Sequence, residues 1–169
     1  MDIVERAINM LLDGEIERAE KQLKKLLKYR RNDYRVWFLK SLIEVKKNES
    51  KDALKSIDKA LDLNKKFVEG WILRGKILRK LTKYSEAIIA FKEAIKIQEE
   101  EDFYNDYEIW IEIAATYFDM GNIKKAFEVA KIVEEINPMD TDLEQLMRKL
   151  NKKRHHHEMI EEYLKIFKL

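Results

Sequence analysis

The chain has 169 residues, 46% hydrophobic and 39% charged, with 34 basic and 32 acidic side chains and a net charge of +2. That composition excludes a disordered chain and a membrane-embedded one, and the balance of charge gives no global attraction to nucleic acid or anionic lipid. Cysteine is absent, which excludes disulfides and thiol chemistry.

No apolar run approaches the ~18 residues of a membrane span. The opening segment, Met1 to Glu20, carries acidic residues early and lacks the apolar core of a signal peptide, so a cytoplasmic location is expected. One proline and four glycines leave little capacity for β-turns, and Lys, Glu, Leu, Ile and Ala dominate. These residues predict an all-helical backbone. High Lys and Glu without Cys is also a thermophile-like bias.

The three tryptophans set a period. Trp37 and Trp71 are 34 residues apart, Trp110 follows 39 later, and a step of 34 back from Trp37 reaches Ile3. With these four as anchors the chain divides into units at about 1–33, 34–67, 68–106 and 107–140, then a closing segment, 141–169. The first unit places Ala7, Gly14, Ala19, Leu23 and Leu26 at offsets of 4, 11, 16, 20 and 23 from its anchor. At the same offsets the second has Ser41, Asn48, Ala53, Ile57 and Ala60, and the third has Gly75, Thr82, Ala87, Phe91 and Ala94. The fourth has Ala114, Gly121, Ala126, Ala130 and Val133. One column is small, one is alanine throughout, and one holds helix-ending types.

Each unit therefore reads as two helices of ~13 residues joined by a short turn. The small column is expected to face the alanine column, so that two backbones approach closely. An interior glycine costs a helix about 1 kcal/mol relative to alanine, and Gly75 is expected to recover it at the tightest contact of its unit. The third unit holds five extra residues between Ile97 and Glu108. Asn105 with Glu108, and Thr141 with Glu144, resemble capping boxes at helix starts. The closing segment breaks the columns and reads as one or two helices, with Met159, Ile160, Tyr163, Leu164 and Phe167 as their apolar stripe. Surface pairs such as Glu17 with Lys21 and Glu20 with Lys24 stand at i,i+4 spacing.

Strings that look chemical have plainer readings. Gly70 to Ile77, GWILRGKI, nearly spells a phosphate loop, but its context is helical and Ile77 stands where a hydroxyl is needed. His155, His156 and His157 are adjacent on a helix-forming stretch, so they point about 100° apart and make a poor metal face. Ser41, Ser50, Ser56 and Ser85 fall at helix or turn places, away from any histidine. No enzyme, metal or cofactor is expected.

Trp71, Gly75, Tyr84, Ala87, Phe91 and Ala94 resemble the tetratricopeptide repeat pattern. So do Trp110, Ala114, Tyr117, Gly121, Ala126 and Pro138. The resemblance covers Met1 to about Met139 and implies a right-handed α-solenoid of helix-turn-helix repeats with a C-terminal capping helix or helix pair. It has departures: Lys40 and Arg74 replace the usual leucine, and Glu44 takes a tyrosine place, so loose packing is expected around Glu44.

The same resemblance implies a protein-binding scaffold whose first helices line a concave groove. The groove places here are Val4 and Ile8; Arg35, Phe38, Leu42 and Val45; Ile72, Lys76 and Arg79; and Ile111 and Phe118. The two-carboxylate clamp of chaperone-tail-binding members is missing, because Val4 and Ile8, or Phe38 and Leu42, stand where its first Lys and Asn would be. The expected partner is another protein, a peptide or helix with apolar anchors and an acidic flank for the basic cluster. Two alternatives are a homodimer through an uncapped apolar first helix containing Met1, Ile3, Val4, Ile8, Leu11 and Leu12, and RNA binding through a stripe of Lys76, Arg79, Lys80 and Lys83 with Lys152 to Arg154. The charge balance disfavours nucleic acid.

Overall fold

The computed structural model describes residues 2–100 and 107–167, with side chains followed to residue 155. Among these residues every regular element is helical. None of the helices is long and apolar enough to cross a membrane. The chain forms two compact units, Met1–Glu101 and Asp102–Leu169.

The first unit holds three helical hairpins. They are α1 (Ile3–Leu12) with α2 (Ile16–Tyr29), α3 (Tyr34–Lys46) with α4 (Ser50–Leu63), and α5 (Val68–Lys80) with α6 (Tyr84–Glu100). The second unit holds the hairpin α7 (Tyr107–Asp119) with α8 (Ile123–Ile136), followed by α9 (Thr141–Phe167).

Each hairpin turns in the same way, and the column of helix-ending residues explains why. Gly14, Asn48, Thr82 and Gly121 all adopt positive φ, at 83°, 62°, 61° and 85°. One residue on, the amides of Glu15, Glu49, Lys83 and Asn122 donate to the carbonyls of Met10, Glu44, Leu78 and Tyr117. These are the long bonds of a Schellman motif, which satisfies carbonyls that a helix end would otherwise leave unpaired. Three of the four positions carry Gly or Asn, the residues that tolerate this conformation, and Thr82 is the exception.

The small column packs as a column, and what it meets differs between hairpins: an aromatic ring at Gly75, the expected alanine at Ser41. A methyl group on Gly75 would stand 2.5 Å from Cε1 of Phe91, which is fully buried. Gly75 therefore makes room for the Phe91 ring, which supplies the atoms nearest to that position. The large aromatic fills the gap that the missing side chain leaves, and this offsets the propensity cost. At the equivalent place in the second hairpin the hydroxyl of Ser41, completely buried, donates to the carbonyl of Ala53 at 2.9 Å.

One core of the first unit joins Val4, Ala7 and Leu11 of α1 to Ala19, Leu23 and Leu26 of α2 and Val36, Leu39 and Ile43 of α3. A second joins Ala53, Ile57, Ala60 and Leu61 of α4 to Leu73 and Ile77 of α5. The apolar first helix is thus only partly closed in: Val4 and Leu11 are buried, Ile8 and Met10 are half-buried, and Ile3 and Leu12 are exposed. An amphipathic helix hides its apolar face wherever a neighbour is available, and α3 supplies one.

In the second unit Ala114, Ala126, Ala130 and Val133 close on Leu143, Leu146, Met147 and Leu150. The closing segment is one continuous helix, α9, not a pair. It starts one residue earlier than a Thr141 cap would place it. The carboxylate of Asp140 accepts from the amides of Asp142 and Leu143, both at 2.9 Å, and Thr141 is already helical. Aspartate caps a helix at least as well as threonine. The Asn105 box and the side chains of the distal α9 stripe lie outside the described residues, as do Met1 and the side chains of His156 and His157.

Candidate functional site

The two tryptophans of the first unit occupy matching surroundings. Trp37 donates from Nε1 to the carbonyl of Arg31 at 2.7 Å, and Trp71 does the same to Lys65 at 2.8 Å. Each ring is half-buried and covered by a cation three residues on, Lys40 at 5.5 Å and Arg74 at 5.8 Å. The two residues that depart from leucine thus become lids over indole faces. Their heads reach the second helix of the same or the preceding hairpin: Lys40 bonds Ser56 Oγ at 3.1 Å, and Arg74 bonds Asp58 at 2.7 Å.

Glu44 is closed in, contrary to the loose packing expected there. It is buried, and one carboxylate oxygen pairs with Lys40 Nζ at 3.1 Å. Its other oxygen, Oε2, is buried without a hydrogen-bond partner. The carboxylate fits because Lys40, one helical turn away, reaches back to it.

The predicted groove residues fall into three groups. Val4 and Ile111 are core, the first fully enclosed between α1, α2 and α3 and the second in the α7–α9 cluster. They offer little or no surface to a partner. Ile8, Leu42, Val45 and Ile72 are half-buried; Ile8 edges the first core, Val45 the second, and Leu42 touches both. Phe38 is half-buried too, but its ring packs edge-on against Phe67 at 4.9 Å and 84°, with Tyr34 on the same ring at 4.8 Å. Phe38 therefore helps hold the chain entering α5. In the second unit Phe118 lies under Lys153, 4.6 Å from the ring centre.

The charged places are organised as well. Lys76 is exposed and Arg79 half-buried. Lys80 reaches Asn48 Oδ1 at 2.8 Å, tying α5 to the turn of the second hairpin. Lys47, beside that turn, pairs with Glu20 of α2 at 3.0 Å, so Glu20 serves a contact between hairpins and not the Lys24 pair. Arg35 is gripped on two sides. Its Nε and Nη2 donate to Asp33 at 2.9 and 2.7 Å, and its Nη1 pairs with Asp2 at 3.0 Å. Hydrogen bonds from Arg35 hold the Asp33 carboxyl below its usual pKa, and the same bonds raise the guanidinium further still. Asp2 is lowered also: partial desolvation opposes the shift, and hydrogen bonds from the Ile3 amide and Arg30 outweigh it.

Sequence reasoning missed Asp2, Asp33 and Phe67 as partners of groove residues. Asp33 leaves a readable mark, an Asp directly before a helix start, where it accepts from the Arg35 amide at 3.0 Å. Asp2 is brought to Arg35 only by tertiary packing. The remaining chemical-looking strings stay structural in position. Gly70, Lys76 and Ile77 lie within α5, so no phosphate loop forms. His155 is exposed, and no group of three His, Asp or Glu side chains among the described residues is placed to hold a metal.

Models of the tetratricopeptide repeat match residues 13–65 and 68–101. No curated protein matches the chain by sequence. Among solved structures, the APC/C hetero-tetramer Cut9–Hcn1 superposes with a TM-score of 0.79 at 19% identity, covering 88% of this chain and 29% of that one. PilF of Pseudomonas aeruginosa gives 0.77 at 18% identity, covering 98% and 73%. MamA from Desulfovibrio magneticus RS-1 gives 0.74 at 18% identity, covering 100% and 96%. At such identities the likeness speaks to fold.

Proposed function

Because the chain belongs to the tetratricopeptide repeat family, whose repeats generally mediate protein partner binding, we propose that it is a protein-interaction scaffold. Its binding face is assigned to the first helices of the first unit, α1, α3 and α5. The observation that carries this is a contrast in burial. The core columns of these helices are closed, while Ile8, Leu42, Val45 and Ile72, at the groove offsets, keep part of their apolar surface open. Lys46 and Lys76 are exposed beside them.

A peptide or helix with two or three apolar anchors and acidic neighbours fits that surface. Desolvated apolar anchors supply most of the affinity, and the charges set register and association rate. Val4 and Ile111 are left out of the face, and the Phe38 ring is engaged by Phe67.

Selection of a phage-displayed random peptide library on the immobilised chain tests the reading. Enriched sequences should combine apolar anchors with Asp or Glu, and Ile72→Ala/Lys76→Glu, folded by circular dichroism, should lose them by about tenfold in affinity. Enrichment of basic peptides, or equal capture by the double variant, would contradict it.

A further inference from the structure

The segment from Lys28 to Arg35, KYRRNDYR, carries four cations and one carboxylate, and the groove reading does not use it as a whole. It curls around an open concavity of about 700 Å³ whose wall includes Lys28, Tyr29, Arg30, Arg31, Asp33 and Arg35. Two of its guanidiniums are held in place: Arg30 by Asp2 at 3.0 Å, and Arg35 by Asp33 and Asp2. Two further cations, Lys28 and Arg31, are exposed and have no ion-pair partner among the described residues. Tyr29 stands between them with 86% of its surface open.

We infer that this loop is a second docking site, sharing Arg35 with the groove places but none of Ile8, Leu42, Val45 and Ile72, for an acidic stretch of a partner polypeptide. The internal carboxylates neutralise the two fixed arginines, so the site's net charge comes from Lys28 and Arg31. An arginine fork matches a carboxylate in two bonds, which suits Asp or Glu side chains. Tyr29 adds a rigid, amphipathic surface, and Tyr and Arg are the types enriched where protein interfaces carry their energy. The concavity is open along the surface, so it suits an extended chain more than an enclosed small molecule. The near-zero net charge of the chain supplies none of the long-range field by which nucleic acid is drawn in.

Neither cation supports the fold through a described side-chain contact, so both can be changed without unfolding the chain. Fluorescence anisotropy with labelled oligoglutamate, and with labelled oligouridylate as comparator, tests the site. Wild type should bind oligoglutamate more tightly than oligouridylate. Lys28→Glu/Arg31→Glu should weaken oligoglutamate by at least about tenfold, Lys28→Gln/Arg31→Gln by less, and Ile72→Ala should leave it unchanged. Circular dichroism should be the same for all. Tighter binding of oligouridylate, absence of oligoglutamate binding by wild type, or equal binding by the two loop variants would overturn the assignment. An effect of Ile72→Ala equal to that of the loop variants would place the acidic ligand in the groove and overturn it as well.

Discussion

The ring of Phe91 lies where a side chain on Gly75 would have to stand, with three of its carbons within 2.7 Å of that position. The contact closes α5 on α6 and decides the sign of a substitution that helix propensity alone would favour. Gly75→Ala should lower stability by about 1–3 kcal/mol, since overpacking outweighs the propensity gain of about 1 kcal/mol. Urea denaturation followed by circular dichroism reads the change. Combined with Phe91→Leu, the loss should be smaller than the sum of the two single losses. A Gly75→Ala protein more stable than wild type would show that the ring moves aside freely.

Thr82 is the one β-branched residue in the left-handed turn column, at φ 61°. Asn48 has the same conformation at the same place and a residue type that tolerates it. Thr82→Asn should therefore raise stability by up to about 1 kcal/mol. A methyl group added at Gly14 or Gly121 would meet nothing within 4 Å, so Gly14→Ala should lose about the same amount from backbone strain alone. Thermal melts of the variants check both signs.

Glu44 and Lys40 form a pair in which one buried oxygen goes unsatisfied. Replacing both by apolar residues removes the desolvation penalty together with the attraction. Lys40→Met/Glu44→Leu should be at least as stable as wild type, while Lys40→Ala alone should lose about 1–3 kcal/mol by stranding the carboxylate. A double variant less stable than Lys40→Ala would mean that the pair contributes specific stability.

Asp33 gives a pH dependence with a definite sign. Its pKa is lowered in the folded chain by hydrogen bonds from Arg35. A carboxylate so depressed stabilises the fold fully above its unfolded value of about 3.9, and the contribution fades as pH falls through the lower folded-state value. Asn retains the helix cap but not the charge. Asp33→Asn should thus be less stable than wild type at neutral pH, and the gap should close in acid. Urea midpoints across that range would reveal a constant gap if the ion pair were irrelevant.

Much of the architecture was legible in the residues themselves. The repeating offsets set the number and order of the hairpins, because a helix pair needs small residues where backbones approach and a left-handed residue where the chain turns back. The column containing Gly14, Asn48, Thr82 and Gly121 is the clearest case: local backbone chemistry dictates it, and it holds at all four turns. The partners across those contacts were not legible. That Gly75 meets Phe91, that Phe38 rests on Phe67, that Val4 is enclosed by α3, and that Asp2 reaches Arg30 and Arg35 all depend on rotamer and crossing geometry between segments distant in sequence. Periodicity names the face a residue occupies. Only packing in three dimensions decides whether that face is closed by a neighbour or left open for a partner.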